Sequence, residues 1–202
     1  AYWVLQNEVE VYWLLNYRGG SFMIKHYKSI EDECVIRGVS YEMIADAKAN
    51  LILSEIADPE VNQESVKLEK VPKVAVYSPK NKLPWDDAVT LVMTYAEIPY
   101  TVIYDDEVIK GELPKYDWLH LHQEDFTGQY GKFYASFRNA EWYRNQVAQM
   151  EARAAKAGFP TVAAHKSAVA QAIKAYVSRG GFLFSMCSGT DSFDIALAAE
   201  GV

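Results

Sequence analysis

From Lys73 onward, short apolar runs alternate with longer segments whose apolar residues recur at helical spacing. Each apolar run has the length of a buried strand, and turn residues separate it from the next segment. Strands that alternate with helices are typical of a parallel sheet. We therefore predict an α/β fold with a doubly wound, mostly parallel sheet over residues 71–202. The predicted strands are 74–77, 100–104, 116–122 and 182–186, and the predicted helices are 85–98, 139–158 and 161–179.

Residues 1–70 have a different pattern, and we predict a smaller N-terminal α/β element there. A turn at Arg18-Gly19-Gly20 separates two short segments of strand composition. The chain is thus predicted to have two domains, 1–70 and 71–202. In the first, the predicted strands are 9–15, 21–24 and 34–39, followed by a helix from Ser40 to about Ala57 and a polar linker or edge segment over 60–72.

Composition excludes several classes of function. The net charge is −7 and no dense run of Lys or Arg is present, so we expect no nucleic-acid partner. No apolar run approaches the roughly 20 residues of a membrane-spanning helix. The two cysteines, Cys34 and Cys187, are far apart and have no spacing typical of a zinc site. Because the chain begins at Ala1 without Met and stops just after a helix, we expect the second domain to continue beyond Val202.

The most informative motif lies around Cys187. A helical segment ends in Gly180-Gly181, a short apolar strand follows at 182–186, and a second helix begins directly after Cys187. A sharp strand-to-helix turn of this kind presents a nucleophile above a sheet, and small neighbours are needed because the backbone is crowded there. The positive end of the following helix stabilises an anion. The motif therefore predicts a nucleophilic cysteine.

The run 172–189 resembles the corresponding part of class I glutamine amidotransferase-like domains, and a weaker resemblance extends over 73–202. It implies a flavodoxin-like fold, Cys187 as the nucleophile and Gly189 as the second elbow glycine, with Ser185 in place of the first. It implies an amide or other small-molecule substrate and a cysteine-dependent amidase or hydrolase, for which we expect no cofactor. The amide N–H groups of Ser188 and the following turn would hold the oxyanion.

The catalytic base is the main departure from that family, in which a His and an acidic residue follow the elbow. No His follows Cys187 in this chain. His120 and His122 lie two apart near the end of a predicted strand, where ligands bind in open α/β sheets. They are candidates for the base, or for metal ligands together with Glu124 or Asp125. The alternative is that both are structural histidines with hydrogen bonds under a loop.

The chain also resembles uncharacterised bacterial proteins often labelled asparagine synthetase B. Residues 188–192 are similar to the Ser-Gly-Gly-x-Asp-Ser loop of ATP pyrophosphatases, but they are one residue shorter. The glutaminase half of asparagine synthetase needs an N-terminal cysteine, whereas this chain begins with Ala1, so we expect no genuine asparagine synthetase. Proteins of this kind often carry export signals, and we therefore expect an exported or periplasmic location rather than a cytoplasmic one.

Two further segments have alternative interpretations. The aromatic-rich segment Phe126–Tyr143 is predicted either as a lid or protein-binding surface, or as a long connection packed on the sheet. Asp105-Asp106-Glu107 is predicted as a solvated turn. For the whole domain, the alternative to a cysteine hydrolase is a non-catalytic binding or assembly module, such as a subunit of a cell-envelope complex, in which the elbow is only architecture.

Overall fold

The computed structural model describes residues 1–79, 88–121 and 130–201 of the 202-residue chain. It divides into two compact units, Ala1–Val71 and Pro72–Val202. Each unit has its own β-sheet and its own buried apolar residues, so each is described by itself.

The first unit is built on a three-stranded antiparallel sheet in the order β2 (Ser21–Ile24), β1 (Val11–Leu15) and β3 (Glu64–Leu68). The predicted hairpin of β1 and β2 is confirmed, and a 3-10 turn at Tyr17–Gly19 joins its strands. Leu14 packs against Ile52 and Ile56 to form the main apolar cluster of this unit. The helices are α1 (Tyr2–Gln6), α2 (Lys28–Ile36) and α3 (Asp46–Ile56).

Two predictions in this unit are wrong. The strand predicted over 34–39 is absent, because Cys34 to Ile36 form the last residues of α2. The Lys28 ammonium lies 2.9 Å from the Asp32 carboxylate, and Arg37 and Glu33 form a second pair at 2.7 Å. Pairs at this spacing stabilise a helix against the strand preference of β-branched residues. The following helix begins at Asp46 rather than after Ser40.

In its described residues, the second unit has the predicted α/β architecture, with four parallel strands. Their order in the sheet is β5 (Tyr100–Ile103), β4 (Val74–Tyr77), β6 (Trp118–Leu121) and β7 (Phe182–Ser185). The strands alternate with helices along the chain, as the hydrophobic pattern predicted. The helices are α4 (Ala88–Tyr95), α5 (Asp105–Ile109), α6 (Tyr134–Phe137), α7 (Glu141–Lys156), α8 (Val162–Ser178) and α9 (Ser188–Ala198).

Helices cover both faces of β4. Ala75 and Tyr77 belong to the largest apolar cluster, which also contains Val169 and Ile173 of α8. Val74 and Val76 belong to a separate cluster with Met93 of α4. Because successive side chains of a strand point to opposite faces, α8 and α4 pack on opposite sides of the sheet.

The link from α8 to β7 depends on two glycines. Gly180 has a φ of +95°, which L residues with a side chain rarely adopt. A Cβ on Gly181 would lie 2.2 Å from Cζ of Tyr176, so the Tyr176 ring packs directly on the glycine backbone. The predicted Gly-Gly turn therefore sets the position at which β7 enters the sheet.

No helix in the three described ranges combines the length and the apolar composition that crossing a bilayer requires.

Candidate functional site

Cys187 lies at a tight turn between β7, which ends at Ser185, and α9, which begins at Ser188. Its backbone has φ 49° and ψ −136°, and its side chain is exposed. A residue other than glycine is rarely found in this region, and holding it there costs about 1–3 kcal/mol. The predicted order of strand, cysteine and helix is confirmed, and the turn has the sharp, strained backbone that a nucleophile elbow requires.

Hydrogen bonds within the turn hold this conformation. The amide of Gly189 donates to the carbonyl of Met186 at 3.1 Å, and the amide of Thr190 donates to the carbonyl of Cys187 at 3.0 Å. The Thr190 hydroxyl donates to the Ser185 hydroxyl at 3.2 Å. The amides of Gly189 and Thr190 are therefore engaged inside the turn. In a nucleophile elbow the residue after the nucleophile provides one oxyanion donor, and Ser188 has that position.

His120 is a buried residue of β6, with 2% of its surface exposed. In the sheet it is in register with Phe184, and the two rings stack with centroids 5.4 Å apart. Cys187 follows three residues after Phe184, and no hydrogen bond joins His120 to Cys187 among the described residues. His120 is therefore packed against Phe184 in the sheet and, within the described residues, is not hydrogen-bonded to Cys187. His122, Glu124 and Asp125 lie outside the described residues.

Within ranges 1–79, 88–121 and 130–201, no three His, Cys, Asp or Glu side chains form a group that could hold a metal ion. Three of the suggested metal ligands, His122, Glu124 and Asp125, fall outside those ranges, so the suggestion stays a prediction.

A buried polar cluster lies at the ends of β4 and β5, and the sequence analysis missed it. Asp105 was predicted in a solvated turn, but it is the first residue of α5 and is 2% exposed. The Lys166 ammonium, 4% exposed, donates to the Asp105 carboxylate at 2.8 Å and to the hydroxyls of Tyr77 and Tyr104 at 2.9 and 3.2 Å. The Tyr77 hydroxyl also donates to Asp105. The prediction for Asp105 was wrong because its partner comes from a helix 61 residues later in the sequence.

Aromatic rings complete the surroundings of this Lys166–Asp105 cluster. The Lys166 ammonium lies 4.4 Å from the centroid of the Tyr104 ring, and the Arg153 guanidinium lies 4.7 Å from it. Cations favour the face of such rings. Burial, with the charge of Asp105, raises the pKa of Tyr77 well above its usual value, so its hydroxyl remains a donor across the physiological range.

The cluster and Cys187 lie at the same edge of the sheet. Tyr77 ends β4, Asp105 follows β5 by two residues, and Cys187 follows β7 by two residues. All four strands are parallel, so their carboxyl ends meet at one edge, where open α/β sheets bind ligands. β5 and β7 are separated by three strand spacings, or about 14 Å. Polar residues at the ends of two successive predicted strands were the signal that could have indicated the cluster.

The described part of the aromatic segment, residues 130–143, contains α6 and the start of α7, with turns before and between them. Phe133, Phe137 and Trp142 pack on one another with ring centroids 5.3–5.8 Å apart. The buried Tyr143 donates its hydroxyl hydrogen bond to the carbonyl of Tyr130. Nearly half of Trp142 remains exposed. Residues 126–129 lie outside the described ranges, and the two interpretations of the segment, a binding surface and a packed connection, stay predictions.

Comparison of the chain with protein-family models, with curated proteins and with solved structures finds no match. The functional assignment therefore rests on the geometry at the carboxyl edge of the second sheet.

Proposed function

We propose that the second unit is an amidotransferase-like domain of flavodoxin-like fold in which Cys187 acts as the nucleophile of a cysteine-dependent amidase or hydrolase. The observation that carries the proposal is the backbone of Cys187, φ 49° and ψ −136°, between β7 and α9. A non-glycine residue maintains such strain only where the surrounding structure imposes it, and such positions cluster at active sites. The strand order is also that of the first four strands of a flavodoxin-like sheet, 2-1-3-4.

In the proposed reaction the thiolate of Cys187 attacks the carbonyl carbon of an amide. A bond forms between Sγ and that carbon, and the negative charge on the carbonyl oxygen is stabilised by the amide of Ser188 at the start of α9. The thiol proton passes through a base to the leaving amine as the carbon–nitrogen bond breaks. Water then cleaves the thioester and regenerates the thiol. Of the two candidates for the base, His120 is buried against Phe184, and His122 lies outside the described residues.

A second candidate function is a non-catalytic binding or assembly module that retains the elbow as architecture. The position of His120 favours it, since a base must come within hydrogen-bond distance of the group from which it takes a proton. In the described part of the chain, Cys187 has no hydrogen bond to a histidine or a carboxylate. The two functions differ in whether Cys187 forms a thioester.

The test is to incubate the protein with a panel of amides and activated esters, quench with acid, and search for a covalent adduct on the peptide that contains Cys187 by mass spectrometry. We expect an adduct on Cys187 in the unmodified protein and in Cys34→Ala, and none in Cys187→Ala. Native Cys187 should also react with iodoacetamide faster than the half-buried Cys34. No adduct with any substrate, together with alkylation no faster than that of Cys34, would overturn the catalytic proposal in favour of the module.

A further inference from the structure

His165 is a histidine that the proposed reaction does not use, and it is almost fully buried at the start of α8. It is 1% exposed, and its ring stacks on Phe159 with centroids 5.0 Å apart and planes 20° apart. Its Nε2 has no hydrogen-bond partner within the part of the chain that is described. This environment accommodates the neutral imidazole, because a charged ring would lose its hydration without gaining an acceptor.

The neighbours of His165 come from three helices and have charges of both signs. Lys166 is adjacent on α8, Arg153 approaches from α7, and Asp105 and Asp106 approach from α5. Burial is the main cause that lowers the pKa of His165, the two carboxylates act against it, and the two cations add to it. The next residue, Lys166, is the one that ties α8 to Asp105 and to the two tyrosines.

We propose that His165 and the adjacent Lys166–Asp105 cluster form an acid-sensitive latch that holds the start of α8 on the carboxyl edge of the sheet. At neutral pH the uncharged ring of His165 remains packed on Phe159, and the latch is closed. Protonation places a third cation beside Lys166 and Arg153 in a site with little water, so the protein gains from exposing the ring. Exposure of His165 requires the first turn of α8 to move, and Lys166 moves with it. This inference does not depend on whether Cys187 is catalytic.

The direction of the pH effect follows from linkage. The pKa of His165 is lower in the folded protein than in the opened state, where it is near its usual value of about 6.5. The opened state therefore binds more protons as the pH falls below about 6.5. The latch is closed above that value and loses stability as the pH falls toward the folded pKa of His165. Each unit of difference between the two pKa values corresponds to about a tenfold change in the opening equilibrium.

The test is native-state hydrogen exchange of the amides in the first turns of α8, at pH 7.5 and pH 5.0, with rates corrected for intrinsic exchange. We expect their protection to fall at pH 5.0, by a factor of up to about 30 because the opened-state pKa lies about 1.5 units above that pH, while the amides of β4 retain theirs. In His165→Phe, which keeps a stacked ring and cannot be protonated, the same amides should have equal protection at pH 7.5 and pH 5.0. His165→Gln provides a second non-titrating variant if Phe does not fit.

His26→Gln is the matched control, because His26 is an exposed histidine of the first unit. This variant should keep the full pH effect on α8. If protection in the unmodified protein is independent of pH, or if both His165 variants lose protection at pH 5.0 as the unmodified protein does, the latch does not exist. In the second case the loss would come from carboxylate protonation instead.

Discussion

Breaking the pair of Lys166 and Asp105 should be one of the most damaging changes in the second unit. Their side chains are 5% and 3% exposed and lie 2.8 Å apart. At that distance the gross attraction is about 6 kcal/mol at an effective dielectric constant near 20, and desolvation of both ions offsets much of it. The net contribution of the ion pair to the free energy of unfolding is therefore small. Removal of one partner leaves a charge at a site built for two, which costs about 3–5 kcal/mol.

Two single variants and their combination separate these contributions. We expect Asp105→Asn and Lys166→Met each to lower the free energy of unfolding of this unit by about 3–5 kcal/mol. The double variant should cost at least 2 kcal/mol less than the sum of the single ones, because neither charge remains. The measurement is the opening free energy of the buried amides of α8 at Val169 and Ile173, obtained by native-state hydrogen exchange.

The matched control is the exposed pair formed by Lys174, which lies on the same helix as Lys166, and Glu200, which follows α9. Its nitrogen and oxygen lie 2.6 Å apart, but the side chains are 51% and 49% exposed. Water screens such a pair, so Lys174→Met should cost less than about 1 kcal/mol. The reasoning is refuted if the single variants at Lys166 and Asp105 cost no more than this control, or if their costs are additive within about 0.5 kcal/mol.

Two further changes test the turn that precedes Cys187 and the turn that contains it. Gly181→Ala should destabilise the second unit by about 1–3 kcal/mol in urea unfolding, because the new Cβ would lie 2.2 Å from the Tyr176 ring. In a Tyr176→Ala background, Gly181→Ala should lose most of this destabilisation, because the ring that the Cβ would meet is gone. Gly180→Ala is the control, because its Cβ would meet no atom within 4 Å. It should cost only the strain of its positive φ, and equally with and without the Tyr176 ring. Cys187→Gly should raise the melting temperature relative to Cys187→Ala, because glycine relieves a backbone strain of about 1–3 kcal/mol. An equal or lower melting temperature would mean that the turn is not strained.

The sequence pattern predicted the second unit better than the first. In the second unit, β4 and β6 are short apolar runs that become largely buried in a parallel sheet, so local composition and final environment agree there. The predicted strands β5 and β7 form as well, but they are only partly buried. In the first unit, Cys34 to Ile36 have strand-like composition but form the end of a helix, which ion pairs between neighbouring turns stabilise. β3 lies in a polar stretch, since an edge strand with one covered face needs few apolar residues.

The candidate site was predicted only in part, for a physical reason. The elbow at Cys187 is a local motif, and its glycines, strand and helix are contiguous in the sequence. The Lys166–Asp105 cluster joins residues far apart in the chain, and nothing local at Asp105 distinguishes it from a surface acid. The surroundings of His120 could not be predicted for the same reason, because its partner Phe184 is distant in sequence and only the pairing of β6 with β7 brings the two together.

The parallel pairing of β6 and β7 also has a consequence for folding kinetics. β6 ends at Leu121 and β7 begins at Phe182, so a long connection that includes α6, α7 and α8 must close before the two strands meet. Contacts this distant in sequence form slowly, because the entropy of loop closure is lost before they stabilise the chain. The hairpin of β1 and β2 closes over a few residues and should acquire protection earlier in pulse-labelled hydrogen exchange. The strained backbone at Cys187 would then be among the last features of the second unit to form during folding.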